Sequence, residues 1–167
     1  MKVSELMAGH TPSSAYVGIA TNDDFVLAID ISASANEEVG NYEVVQGAIA
    51  SMDASLESET DEKTYIREGM STTKTSTQRT FNISGDRKHG VAIQDFIFSH
   101  AIKFGVGQAV IRPYVYFSML TGEGEKGEAS IIVNSDGGGD AGASAEIDVD
   151  ISATGTPTAY TYSADEL

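Results

Sequence analysis

The sequence predicts a mainly β fold, a β-sandwich or partly closed barrel with one flanking α-helix. Three observations predict it. Thr, Val, Ile and Tyr gather in short runs where apolar and polar residues alternate, which is the period of a half-buried strand. A single segment, 91–104, carries apolar residues at helical spacing. Glycine-rich or charged stretches separate the runs, while the chain holds only 3 prolines. At 167 residues it is long enough for one domain, 1–167, with its own core.

The elements follow in chain order. Residues 1–14 and 164–167 are expected to be extended or flexible. Residues 15–20 (AYVGIA) and 25–32 (FVLAIDIS) read as strands, separated by the turn signal Asn22-Asp23-Asp24. The small, polar stretch 33–41 reads as a loop. Residues 42–56 read as one long strand whose later part sets Ser51, Asp53 and Ser55 against Met52, Ala54 and Leu56, so that one face is wet. The charged stretch 57–62 reads as a turn into 63–69 and then into 71–85, a run of high β propensity with few large apolar groups before Phe81. A strand that is polar on both faces has no place in a core, and a long exposed edge invites pairing with another chain.

Segment 91–104 places Ile93, Phe96, Ile97, Ala101 and Phe104 on one helical face, with Gly105 and Gly107 to stop it. Strands are then expected in 108–120, 129–135, 145–152 and 159–163. The glycine-rich stretches TGEGEKGE and DGGGDAGAS read as the loops between them. In 145–152, Ile147, Val149 and Ile151 face inward while Asp148 and Asp150 face out.

Charge and composition narrow the function. The net charge is −15, and it is uneven. Residues 1–62 hold twelve acids against Lys2 alone, residues 63–133 hold nine of the ten Lys and Arg, and 134–167 hold seven acids and no base. Such a surface repels a phosphate backbone rather than gripping it. An acidic region meeting the basic middle of another copy is a head-to-tail contact, the kind that builds rings or filaments. There is no cysteine, hence no disulfide framework, thiolate metal site or thiol nucleophile. No run of about 18 apolar residues suggests a membrane-spanning helix, and no export signal is read at the N-terminus.

Chemistry-bearing motifs are weak. Gly122, Gly124 and Gly127 form G-x-G-x-x-G, but a strand follows them, and Glu123, Glu125 and Glu128 would repel a pyrophosphate. Asn134–Ala145 misses the ligand positions of a calcium loop, leaving at most a weak cation site at Asp136 and Asp140. His10, His89 and His100 are scattered. Asp148 and Asp150 stand on one strand face without the aromatic residues that a sugar site gathers. No catalytic residues, cofactor or metal ligands are assigned, and an enzyme is not expected.

The stretch from about residue 40 to 163 resembles the major tail tube proteins of long-tailed (siphovirus-like) bacteriophages and prophages of Gram-positive bacteria. TQRTFNISGDR (77–87), QDFI (94–97) and GEKG (124–127) carry the resemblance most clearly. It implies a β-sandwich or partly closed barrel with a flanking helix. Six copies would form a ring, with inner strands joined across subunits around a lumen, and rings would stack into a tube in the virion tail, assembled in the host cytoplasm. Implied partners are other copies of the chain, a tape measure protein, a tail-tip or initiator complex and a tail terminator. The genome would pass through the lumen without specific binding.

Under this resemblance Ser51, Asp53, Ser55, Ser76, Gln78 and Thr80 are the candidate lumen-facing residues. The opposite parity is the alternative, because a one-residue slip exchanges the faces. Glu57, Glu59, Asp61, Glu62, Lys63, Arg67, Lys74, Arg79, Arg87 and Lys88 are candidates for contacts between subunits or rings, or else solvated surface charges. Stretches 33–41 and 57–62 are the expected assembly loops. Two other readings stand beside this one: the inner tube of a contractile tail or phage-derived bacteriocin, and a monomeric β-sandwich binding module.

Overall fold

A computed structural model describes residues 1–34 and 38–163. Eight strands form one antiparallel sheet, so the fold is mainly β. They are β1 (Phe25–Ile29), β2 (Glu43–Val44), β3 (Ile49–Tyr65), β4 (Gly69–Asp86), β5 (Ile111–Ser118), β6 (Glu123–Ser135), β7 (Glu146–Ala153) and β8 (Thr158–Thr161). The strand order is β2-β1-β5-β6-β7-β4-β3, and β8 pairs with the N-terminal part of β6, along Glu123–Lys126. The sheet curls until its two ends nearly meet. The Asn22 side-chain amide of the turn before β1 donates to the Met52 carbonyl on β3 at 3.2 Å, a partly closed barrel.

Alternation supplies the core. Phe81 and Ile83 of β4, Ile131 of β6, and Ile147, Val149 and Ile151 of β7 all point into the curl and are buried. Leu27, Ile29 and Tyr114 join them from the other side, and two short helices plug the opening with Ile93, Ile97, Phe98 and Ile102. A second cluster covers the outer face of β1 and β5. Val3 and Met7 of the N-terminus pack there with Val115, Phe117, Tyr42 and Tyr160.

Several elements differ from the sequence expectation. The single helix of 91–104 is two: α2 (Ala92–Ile97) and α3 (His100–Lys103). Ser99 is extended at their junction, and its carbonyl accepts the first α3 bonds from Ile102 and Lys103. Serine favours that capping position over a helix interior. Phe104 consequently leaves the apolar face and is exposed. The N-terminus is not extended. It forms α1 (Val3–Leu6), anchored by the buried Val3 and Met7. Residues 164–167 lie outside the described residues.

Segment 15–20 forms no strand, and no strand edge among the described residues receives it. Segment 42–56 is broken at Gly47 and Ala48, both with positive φ, which separates β2 from β3. The expected loop 33–41 ends in a buried 3-10 turn, Val39–Asn41, and its residues 35–37 lie outside the described residues. TGEGEKGE is not a loop either, because β6 begins at Glu123. Gly124 lies there against the Tyr116 carbonyl and Phe117, an approach with no room for a Cβ.

The acidic stretch 57–62 is the largest correction. It is not a turn but the middle of β3. The reversal comes later, at Ile66–Glu68, with Arg67 and Gly69 in the left-handed region. Acidic residues are depleted in strands because they pack poorly. Here nothing packs on them, and the Thr- and Ser-rich β4 supplies the pairing.

Candidate functional site, an assembly surface

β3 and β4 pair continuously from Ile49↔Gly85 to Tyr65↔Gly69. β7 accompanies β4 only as far as Thr80↔Ser152. Beyond that point the two strands project as a ribbon with no third strand. The free part of β3, ten residues from Leu56 to Tyr65, extends about 33 Å at ~3.3 Å per residue. No residue from 53 to 80 is buried. An isolated two-stranded ribbon is marginal in water, so this hairpin gains almost nothing from its own chain.

The register sorts its side chains. Ser51, Asp53, Ser55, Glu57 and Glu59 of β3 lie opposite Ser84, Asn82, Thr80, Gln78 and Ser76 of β4. All six candidate lumen residues therefore share one face, which is the side turned away from Phe81 and Ile83. A bulge at Thr75 preserves this alternation, and Asp61 and Lys63 continue the row. Across β7 the same face carries Asp148, Asp150 and Ser152. The Asn82 side-chain amide donates to both Asp148 Oδ1 (2.9 Å) and Asp150 Oδ1 (2.8 Å), and Asn134 donates to Asp150 Oδ2. Two neutral amides thus hold the carboxylates in place without cancelling their charge. The one base in this row, Lys63, pairs with Asp61 at 3.2 Å. The face is acidic from β7 to near the ribbon tip.

The other face changes character along the ribbon. Met52 extends the core, Ala54 is exposed, Leu56 is exposed beside Arg79, and beyond them stand Thr60, Glu62 and Lys74. The tip carries three exposed apolar side chains, Tyr65, Ile66 (91%) and Met70, beside the charged Arg67 and Glu68.

Backbone direction identifies a free edge. Met52 offers its carbonyl away from β4, to Asn22. By alternation the amides and carbonyls of Ala54, Leu56, Ser58, Thr60, Glu62 and Thr64 point the same way. Past Asn22 they meet no strand among the described residues.

Arg79 stands where the ribbon leaves the body. It donates to Glu125 through Nε (2.6 Å) and a terminal nitrogen (3.1 Å), and lies over the Phe81 and Tyr116 rings. Tyr114 Oη also meets Glu125, at 3.3 Å. The Glu125 hydrogen bond raises the Arg79 pKa, and burial raises those of both tyrosines, so Arg79 stays a cation and both phenols stay neutral at neutral pH.

The remaining candidates divide. Arg87 is held by Asp95 (2.7 Å) and Gln94, and lies over Phe98. Lys88 belongs to the same loop, its backbone amide bound by Gln94. Arg67, Lys74 and Glu62 lie towards the ribbon tip, with no ion pair among the described residues. Asp136, in the candidate cation loop, is paired with Lys103 at 2.7 Å, which lowers its pKa. No group of three metal-ligating side chains occurs among the described residues. Sequence reasoning missed Glu125 and Asn82, whose partners lie 46 and 66 or more positions away. It also missed the exposed apolar side chains of the tip, which read as part of an ordinary amphipathic strand.

The geometry defines a mainly β protein whose candidate site is a polar ribbon, an acidic sheet face and a free strand edge. No family model and no curated protein sequence matches the chain. Solved structures share its fold. A chain from the tail of an empty gene transfer agent particle, determined by helical refinement with C6 symmetry, aligns with a TM-score of 0.55 at 14% identity. The alignment covers 86% of this chain and 100% of that one. A chain from the virion of a native gene transfer agent particle aligns with a TM-score of 0.55 at 12% identity, with the same coverage.

Proposed function

We propose that the chain is a structural subunit of a phage-type tail tube, assembling with its own copies into stacked rings around a lumen. The observation that carries this reading is the ribbon. Thirty-five strand residues in β3 and β4 include a long portion that buries nothing, presents a free backbone edge and keeps Asp53, Glu57, Glu59 and Asp61 on one face. In a ring, the edge of β3 pairs with a neighbouring copy, and the ladder left open in the monomer is closed. The C6 symmetry of the gene transfer agent tail supports six copies per ring.

The acidic face carrying Ser51, Asp53, Ser55, Ser76, Gln78 and Thr80 then lines the lumen. A wall of Asp53, Glu57, Glu59, Asp148 and Asp150 repels phosphates, so the genome slides without being bound. The ribbon tip, with Arg67, Lys74 and the apolar Ile66 and Met70, reaches the adjoining ring. Arg79 fixes the angle at which the ribbon leaves the body. Tape measure protein, tail-tip complex and terminator are the partners at the tube's core and ends, and the virion tail is its location.

Negative-stain electron microscopy of the purified protein over a concentration series tests this, with a tail-tip initiator added where nucleation is slow. Hollow tubes of stacked rings are expected. Particles that stay monomeric even with the initiator and tape measure protein present would overturn the reading.

A further inference from the structure

We infer that residues 15–20 are a docking strand, which inserts into a groove between β1 and β3 of another copy; this rests on the self-assembly proposed above. The segment, AYVGIA, reads as a strand yet pairs with no strand among the described residues; its Tyr16 amide donates only to the nearby Ser13 carbonyl at 2.9 Å. Val17 and Ile19 are each 94% exposed, the highest values among the large apolar side chains, and Tyr16 is 45% exposed. The chain bends at Gly18 between them, and drawn straight as a strand it would turn Val17 and Ile19 to the same side. Both ends are fastened. The Ser13 amide donates to the Leu120 carbonyl at 2.8 Å, and the Thr21 amide to Asp24 Oδ2 at 2.7 Å. The segment is therefore presented outward from the body.

The acceptor is an open groove of about 310 Å³ where the curled sheet fails to close. Phe25, Leu27, Val45, Ile49 and Met52 give it apolar walls, and Asp23 is the one charged residue in its lining. Its walls also carry strand edges. The Asp24 carbonyl accepts from the Met119 amide just past β5, and the Asp30 amide donates to the Pro113 carbonyl of β5, so by alternation Phe25 and Leu27 turn their backbone groups towards the groove. The last bond on that side runs from the Val45 amide to the Leu27 carbonyl, leaving Phe25 as an edge that an added strand can pair.

Charge selects a second copy as the occupant. Two chains of net charge −15 repel wherever acids meet. Leu6–Asn22 is the longest stretch without a charged residue, and the segment 44–52 along the groove also has none. An uncharged apolar strand entering a nearly uncharged apolar groove is a contact that two such copies make without that repulsion. Insertion into its own groove is opposed by the turn at Asn22–Asp24, which holds Thr21 through Asp24 and Met52 through Asn22, directing the segment outward.

Because the chain has no cysteine, disulfide trapping tests this cleanly. In assembled protein carrying Val17→Cys with Ala50→Cys, oxidation should give a ladder of covalent multimers, since each copy both donates and receives. Either cysteine alone should give no ladder. A second variant, Val17→Asp with Ile19→Asp, should keep the monomer's melting temperature and raise the concentration needed for tubes more than about tenfold. Wild-type-like tubes without the ladder, a disulfide closed within one chain, or tubes of the aspartate variant at the wild-type concentration would each overturn the inference and leave the tail tube reading standing. Wild-type protein that never forms tubes would overturn that reading, and this inference with it.

Discussion

The body of the molecule and its projecting ribbon are built from the same strands, yet they obey different rules. In β4, Phe81 and Ile83 are 0% and 1% exposed, whereas ten residues earlier the same strand is Ser and Thr on both sides. The body encodes its own burial. The ribbon encodes backbone pairing and charge with almost no burial, so its stabilising contacts must come from outside the chain. On the proposed function, a single strand carries both a folding signal and an assembly signal, divided at Arg79.

The largest expected effect sets the two regions directly against each other. Phe81→Ala should cost about 3–5 kcal/mol through lost burial and an unfilled cavity, a fall of roughly 10 °C in melting temperature for a chain of this size. Replacing residues 58–77 by Asn-Gly closes a two-residue turn across the hydrogen-bonded Glu57–Gln78 pair. That deletion should change monomer stability by less than about 1 kcal/mol, because it removes no buried group, and should abolish tubes by electron microscopy. A comparable thermal loss from the deletion would mean that the ribbon is part of the body's fold.

Arg79 should fall between these extremes. Arg79→Met leaves Glu125 half-buried with Tyr114 Oη as its remaining side-chain hydrogen-bond partner among the described residues. Allowing for partial exposure, the loss should be about 2 kcal/mol, read as a drop of about 4–8 °C in calorimetry. The acidic face should matter even less to stability. Asp53→Lys, Glu57→Lys and Glu59→Lys together should leave the monomer's melting temperature nearly unchanged. Their effect should appear in filter binding: tubes of the variant retain duplex DNA, in a salt-dependent manner, and wild-type tubes do not.

The smallest effect is on pH dependence. The Arg87 hydrogen bond lowers the Asp95 carboxyl below its ordinary 3.8. A depressed carboxylate contributes stability above its unfolded value and loses it as pH falls through the folded one. Wild-type melting temperature should therefore decline below about pH 3.8 more steeply than that of Asp95→Asn, and the two curves should run parallel above it.

What was legible in the sequence follows the same division. β7 was legible because its buried residues alternate with exposed or half-buried ones, and β1 and β5 because they are short apolar runs packed on both faces. Ile147, Val149 and Ile151 with Asp148 and Asp150 between them are the clearest case. The ribbon was legible only in part. The polar character of 71–85 marked a surface strand, and the six residues assigned to one face do share it. The acids at 57–62 looked like a turn because strand signals measure packing, and this strand packs against nothing. Residues 15–20 failed for the converse reason, a strand pattern without a strand partner among the described residues. Glu125 and Asn82 could not be read at all, since their roles arise from pairings across β4, β6 and β7 that no local pattern contains.

The most direct test of the central claim is residue-resolved amide hydrogen exchange on β3, in monomer and in assembled protein. In the monomer the amides of Ala54, Leu56, Ser58, Thr60, Glu62 and Thr64 point away from β4 and should exchange at nearly unfolded rates, while Phe81 and Ile151 stay protected. On assembly those six should become protected together as a neighbouring strand closes the edge. Unchanged exchange at the six in tubes, or protection equal to that of Phe81 in the monomer, would contradict the account.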